Sequence, residues 1–171
     1  MGLEQLHLEG KDKVQFSIEL IQSVYFKEPL YLADSGGKDS CALRLLARLA
    51  EVPVQSYYHT NPLDPPELIQ FIKEAHPDTI FTRAPMPFWE AFSVKGFPLR
   101  SARWCCEYIK EWGGAGRTVL LGLRSEESEK RKTRCFISWD EKGRTRFDRK
   151  TKRNVVSPML LWTKEDVWTF L

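Results

Sequence analysis

Ser35-Gly36-Gly37-Lys38-Asp39-Ser40 is the stretch from which the fold of this chain is read. A short apolar run, Pro29-Leu30-Tyr31-Leu32-Ala33-Asp34, precedes it, and a helical run from Cys41 to Ala50 follows. Strand, glycine turn and helix in that order build a phosphate site. The two glycines let the backbone turn tightly and bring N–H groups close to an anion, and the helix points its positive end at the same place. Ser35 and Ser40 add hydroxyl donors and Lys38 adds a cation. The loop lacks the longer glycine stretch and the Gly-Lys-Ser/Thr ending of the Walker pattern. The same spacing also suits an ordinary helix N-terminus with Ser and Asp as caps.

Composition bounds what surrounds the loop. At 171 residues and 42% apolar, the chain can bury one core, and a single domain from 1 to 171 is expected. The net charge is +3, but it is unevenly spread: Arg124 to Arg153 hold 12 basic and 6 acidic residues, which leaves 14 against 17 elsewhere. Such a basic segment suits an anionic partner, whether nucleotide, sulfate ester or nucleic acid, and equally suits a solvated charged hairpin. No apolar run is long enough to span a membrane, and no secretory signal is visible, so the cytoplasm is the default. Four cysteines, two of them adjacent, do not read as a disulfide framework.

Periodicity gives an alternation of helices and strands. Val14 to Phe26 has apolar residues at helical spacing and is expected to end at Pro29. Val52 to His59 reads as a strand, and Asp64 as the cap of a helix beginning at Pro65 and running to Ala75. Thr79 to Arg83 is a short strand, Phe88 to Val94 a helix closed by Gly96, and Ala102 to Trp112 a helix ended by Gly113-Gly114. Thr118 to Leu121 is a strand. Cys135 to Trp139 and Thr145 to Asp148 read as a hairpin around Lys142-Gly143. Val155-Val156 is a last short strand, and Thr163 to Asp166 has near capping-box spacing. The expectation is an α/β fold: a doubly wound, mostly parallel sheet with helices on both faces and ligands beyond the carboxyl ends of the strands. The apolar ending Phe170-Leu171 suggests that the chain is cut short at its C-terminus.

Three further strings stand out. In Arg103-Trp104-Cys105-Cys106, adjacent helical cysteines point about 100° apart, which allows them to ligate neighbouring irons of one cluster or simply to pack as small apolar residues. Arg100, Arg103 and Lys110 suit an anionic ligand or a charged surface. In Gly122-Leu123-Arg124-Ser125-Glu126-Glu127-Ser128, a glycine at a strand end permits close approach of a ligand, and Arg124 can grip a phosphate with two donors. Ser125 as a helix cap with two glutamates behind it is the structural alternative. Pro158 to Trp168 reads as a capped helix with apolar anchors.

Together these strings resemble the phosphoadenosine phosphosulfate (PAPS) reductase family of the PP-loop adenine-nucleotide alpha-hydrolase superfamily. That family shows a Ser-Gly-Gly-x-Asp-Ser loop, then Arg-Trp-Cys-Cys, Gly-x-Arg-x-x-x-Ser and Pro-x-x-x-Trp-x-x-x-Asp-Val-Trp, in this order. The resemblance runs from about Leu30 to Leu171, and Asn61-Pro62-Leu63-Asp64-Pro65-Pro66-Glu67-Leu68 is similar to a branch found in phage, mobile elements and DNA phosphorothioation systems. It implies a Rossmann-like, adenine-nucleotide-binding enzyme acting next to the alpha phosphate in sulfur metabolism or sulfur transfer. Ser35, Gly36, Gly37, Lys38, Asp39 and Ser40 would hold phosphates or sulfate, with Lys38, Asp39 and Ser40 as the catalytic group, and Gly122, Arg124 and Arg103 would face the nucleotide. Family members that reduce PAPS carry a degraded loop, whereas the intact loop here resembles ATP-cleaving members such as the ATP sulfurylase small subunit. The implied cofactors are therefore ATP, or PAPS or adenosine phosphosulfate (APS), with Mg²⁺ and Asp39 as its ligand. A 4Fe–4S cluster on Cys105, Cys106 and Cys135 would need Cys41 as its fourth ligand, where packing is the expected job. Reduction of PAPS or APS to sulfite, and a non-catalytic nucleotide- or nucleic-acid-binding module using the Arg124–Arg153 segment, are the alternatives. A homodimer is a further open reading.

Overall fold

The computed structural model describes residues 7–8, 11–99, 104–106, 109, 112–138 and 153–171. Two strands, β1 (His7–Leu8) and β2 (Lys11–Asp12), form a small antiparallel ladder ahead of the first helix. Helix α1 (Lys13–Ser23) starts there because the Asp12 carboxylate accepts the Val14 N–H at 2.9 Å. It stops six residues before Pro29, earlier than expected, and the backbone turns through Lys27 at φ 63°.

The chain then alternates through β3 (Leu30–Ala33), α2 (Lys38–Leu49), β4 (Val54–Thr60), α3 (Pro66–Ala75), β5 (Ile80–Arg83), α4 (Phe88–Lys95) and β6 (Thr118–Leu120). A 3-10 turn (Ser125–Glu127), a short helix α5 (Glu129–Lys132), β7 (Ile137–Ser138), β8 (Asn154–Val156) and α6 (Lys164–Phe170) complete it. Helix α2 begins at Lys38, three residues before the apolar run that announced it. Asp64 is not the cap of α3. Pro65 takes that place with Pro66 at the first helical position, and the Asp64 carboxylate instead accepts the Tyr58 hydroxyl. Trp104 and Cys105 are helical, but the rest of the expected 102–112 helix lies mostly outside the described residues. So do Lys142-Gly143 and Thr145–Asp148. Strand β7 pairs antiparallel with β8, Ser138 opposite Val155.

Six strands form one sheet in the order β5-β4-β3-β6-β8-β7, and only the edge pair β7–β8 is antiparallel. This is the α/β, Rossmann-like arrangement. Strand side chains alternate between faces. Leu30, Leu32, Leu120 and Val156 face one way, into a core shared with α1, α2 and α6 through Ile21, Leu43, Leu46 and Val167, and with the segment before α6 through Met159 and Trp162. Tyr31 and Val119 face the other way, toward His59, Trp112 and Gly113-Gly114. A separate cluster joins Phe88 and Ala91 of α4 to Trp104 and Ile109.

Strand order fixes where a ligand can sit. From β3 the chain winds outward to β4 and β5, then crosses back to β6 on the other side of β3. The carboxyl ends of β3 and β6 therefore diverge into a crevice, the usual ligand position in open α/β sheets. Among the described residues no helix is long and apolar enough to cross a membrane.

Candidate functional site

Both strongest sequence motifs meet at that crevice. Ser35 to Ser40 leave the end of β3, and Gly122 to Arg124 leave the end of β6, the next strand in the sheet. Two glycines are dictated by their positions. Gly36 lies at φ 68°, and a Cβ there would stand 2.6 Å from Leu68 Cδ1 and 2.9 Å from Ile72 of α3. Gly122 runs so close to α2 that a Cβ would stand 2.9 Å from the Asp39 carbonyl oxygen.

The start of α2 is built for an acceptor. Its first helical hydrogen bond is Cys41 N–H to Gly37 O at 3.0 Å, so the N–H groups of Lys38, Asp39 and Ser40 have no carbonyl one turn back. The cap residue is Gly37, and no side chain caps this end. Ser40 Oγ instead donates to Gly37 O at 2.8 Å, and Ser35 Oγ lies 3.3 Å from Ser40 Oγ. An anion at this helix end would gain the dipole and the open donors together.

Charge at the mouth converges on Asp39. Lys38 Nζ donates to its Oδ2 at 2.6 Å, and Arg124 Nε donates to its Oδ1 at 2.8 Å. Arg124 is 95% buried and also donates to Glu126 Oε1 at 2.9 Å. The local turn is held elsewhere too. Glu127 Oε2 accepts the Arg124 N–H at 3.1 Å, Ser125 N–H donates to Leu160 O at 2.7 Å, and Glu126 accepts the Lys164 N–H at 3.2 Å. Arg124, not Ser125, is therefore the cap of this turn. Glu126 was readable only as a first-turn acid, yet it links Arg124 to the start of α6 because the tertiary fold stacks these segments.

Behind the loop stands a polar group that the sequence did not announce. Asp34 Oδ1 accepts the Gly36 N–H at 2.8 Å, and its Oδ2 pairs with His76 Nδ1 at 2.7 Å. Arg44 reaches toward the same carboxylate at 3.7 Å while bonding Ser56 and Asp78. His76 closes α3, 42 residues from Asp34, so no local pattern could have connected them. On the opposite sheet face His59 is buried between Tyr31, at 2.9 Å, and Thr82, at 2.7 Å. Burial first, and the Arg153 charge second, depress the His59 imidazole to about 4.

The remaining site expectations divide. Arg103 lies outside the described residues, as do Arg100 and Lys110. Cys105 and Cys106 are half-buried and Cys135 is exposed. Among the described residues no three His, Cys, Asp or Glu side chains come together as metal ligands. The cysteine set expected for 4Fe–4S therefore does not fit a cluster, and Cys41 faces His76 instead. Mg²⁺ is offered one carboxylate at the crevice, Asp39, which has spare lone pairs. That fits Mg²⁺ held by few carboxylates plus substrate phosphates. Within the basic segment, Arg131 pairs with Glu127 and buried Arg153 donates to Gly113 O, while Lys132, paired with Glu129, and Arg134 are exposed. A family model described as the phosphoadenosine phosphosulfate reductase domain matches residues 29–171, which take in the whole six-stranded sheet. No curated protein gives a significant match to the chain.

Proposed function

Because the chain belongs to the phosphoadenosine phosphosulfate reductase domain family, a family of PP-loop adenine-nucleotide-binding enzymes, we propose that it binds ATP at the Ser35–Ser40 loop and cleaves it next to the alpha phosphate. The observation that carries this reading is the uncapped start of α2, with three open N–H groups between a Gly-Gly turn and the Lys38–Asp39–Arg124 cluster. An intact Ser-Gly-Gly-Lys-Asp-Ser loop supports a polyphosphate rather than a sulfate-bearing nucleotide. Gly122 lets the segment after β6 pass against the start of α2, which keeps Arg124 beside the loop.

In this mechanism an acceptor oxygen attacks the alpha phosphorus while the bond to the bridging oxygen breaks and pyrophosphate departs. The N–H groups of Lys38, Asp39 and Ser40, with the Lys38 ammonium, receive the growing negative charge of the leaving group. Asp39 holds Lys38 and Arg124 in place before substrate arrives, so less ordering is left to the moment of reaction. Mg²⁺, held by Asp39 and the phosphates, would neutralise polyphosphate charge. Ser35 and Ser40 hold the loop's shape and add hydroxyl donors. The nucleotidyl product is an activated group of the kind that accepts sulfur.

Calorimetry with ATP, APS and PAPS side by side tests the reading. ATP is expected to bind best, Lys38→Ala to weaken it at least tenfold, and Gly36→Val to abolish binding. Equal ATP binding by wild type and Lys38→Ala, or a preference for PAPS, overturns the assignment to ATP.

A further inference from the structure

We propose that Cys41 is a covalent modification site for small peroxides, with His76 as its base and Asp34 as the group that orients the base. Cys41 Sγ lies 4.0 Å from His76 Nε2, and His76 Nδ1 lies 2.7 Å from Asp34 Oδ2. A carboxylate only accepts, so Nδ1 carries the proton in the neutral ring, and the Nε2 lone pair is left facing the thiol. His76 is 92% buried, and its Nε2 has no other hydrogen-bond partner among the described residues. The Phe71 ring meets it edge to face at 5.6 Å, which limits where the imidazole can swing. Nucleophile, base and orienting acid in series are the constellation of an activated thiol.

The Cys41 thiol faces that base, and proton transfer to His76 leaves the Asp34 carboxylate opposite an imidazolium, bonded through Nδ1. Cys41, on α2, is half-buried and faces the end of α3, which favours a small reagent over a bulky disulfide. With hydrogen peroxide, the thiol proton passes to Nε2 as sulfur attacks one peroxide oxygen. An S–O bond forms, the O–O bond breaks, and the departing hydroxide takes the proton from His76 as water. Sulfur is oxidised by two electrons to the sulfenic acid and peroxide is reduced by two.

Oxidation of Cys41 needs no bound nucleotide. Its position is nonetheless consequential. Cys41 follows Ser40 directly, and the Asp34 that orients His76 also holds the Gly36 N–H of the phosphate loop.

The test is sulfenic acid trapping with a 1,3-diketone after limiting hydrogen peroxide, read by peptide mass spectrometry. Exposed Cys135 is the internal control. Cys41 is expected to be trapped at least tenfold faster than Cys135 in the wild-type chain. His76→Asn, whose amide can still reach Asp34, is expected to lower Cys41 trapping at least tenfold and leave Cys135 unchanged. Trapping of Cys41 no faster than Cys135 in the wild type, or a His76→Asn rate within twofold of wild type, overturns the proposal. Should His76→Asn fail to fold, the wild-type ratio alone decides.

Discussion

Single residues at the crevice are fixed by distances that a sequence can only hint at. Gly122 reads as a permissive strand end, and the ligand was the expected reason for it. The nearer reason is α2: an added Cβ would press on the Asp39 carbonyl, main chain that cannot swing aside. Gly122→Ala is therefore expected to destabilise the fold by about 1–3 kcal/mol and to weaken nucleotide binding by displacing the first turn of α2. Urea denaturation and calorimetry on the same preparation would check it, and unchanged values in both would refute it. His59 gives a second residue-scale prediction. Its pKa is depressed to about 4 in the fold against an ordinary value of 6.5. The unfolded chain thus binds a proton between those values that the folded chain refuses. His59 keeps its full contribution above about pH 6.5 and loses stability as pH falls toward 4. His59→Gln should lose less stability than wild type between pH 7 and 4.5 in paired urea titrations, and an equal loss would contradict this origin.

At the scale of elements, ends were harder to read than existence. Each helix from α1 to α4, and α6, was visible as periodicity or capping pattern, because apolar spacing follows from the turn of the helix. The start of α2 at Lys38 was hidden because the loop residues themselves supply the first helical turn. The cap of α3 was misassigned because Asp64 and Pro65 match a local rule that a tertiary bond to Tyr58 overrides. Thr163 and Asp166 did follow the local rule: Thr163 Oγ1 accepts the Asp166 N–H at 3.1 Å, and Asp166 Oδ2 accepts the Thr163 N–H at 2.7 Å. Asp166 also pairs with Lys13 at 2.6 Å, which ties α6 to the start of α1. Thr163→Ala should cost about 1 kcal/mol. Asp166→Ala should cost more, since it removes both the cap and the tie. Chemical denaturation of the two variants checks the order, and equal costs would remove the tie from the account.

For the whole molecule, the core behind the crevice is where stability and site meet. Trp162 is fully enclosed, and its indole N–H donates to Ser17 Oγ at 3.1 Å, while Ser17 donates to Pro158 O at 2.9 Å. This chain joins α1 to the segment after β8, whose Leu160 carbonyl in turn holds Ser125 beside Arg124. Ser17→Ala leaves the buried indole without its partner, at about 1–3 kcal/mol. A fall in melting temperature of several degrees is expected, and an unchanged one would show that the indole finds another acceptor. The sequence by itself determined the alternating α/β plan, the Gly-Gly turn between β3 and α2 and the motif order, because each rests on local periodicity, glycine turns and contiguous residues. Only the tertiary structure decided that Gly122–Arg124 stand beside that loop, that Asp39 gathers Lys38 and Arg124, and that Asp34, His76 and Cys41 form a line behind it. These pairings join residues up to 85 positions apart. They arise from strand order, which places β6 next to β3, and strand order is settled by how the faces of the sheet are buried rather than by any one segment's pattern.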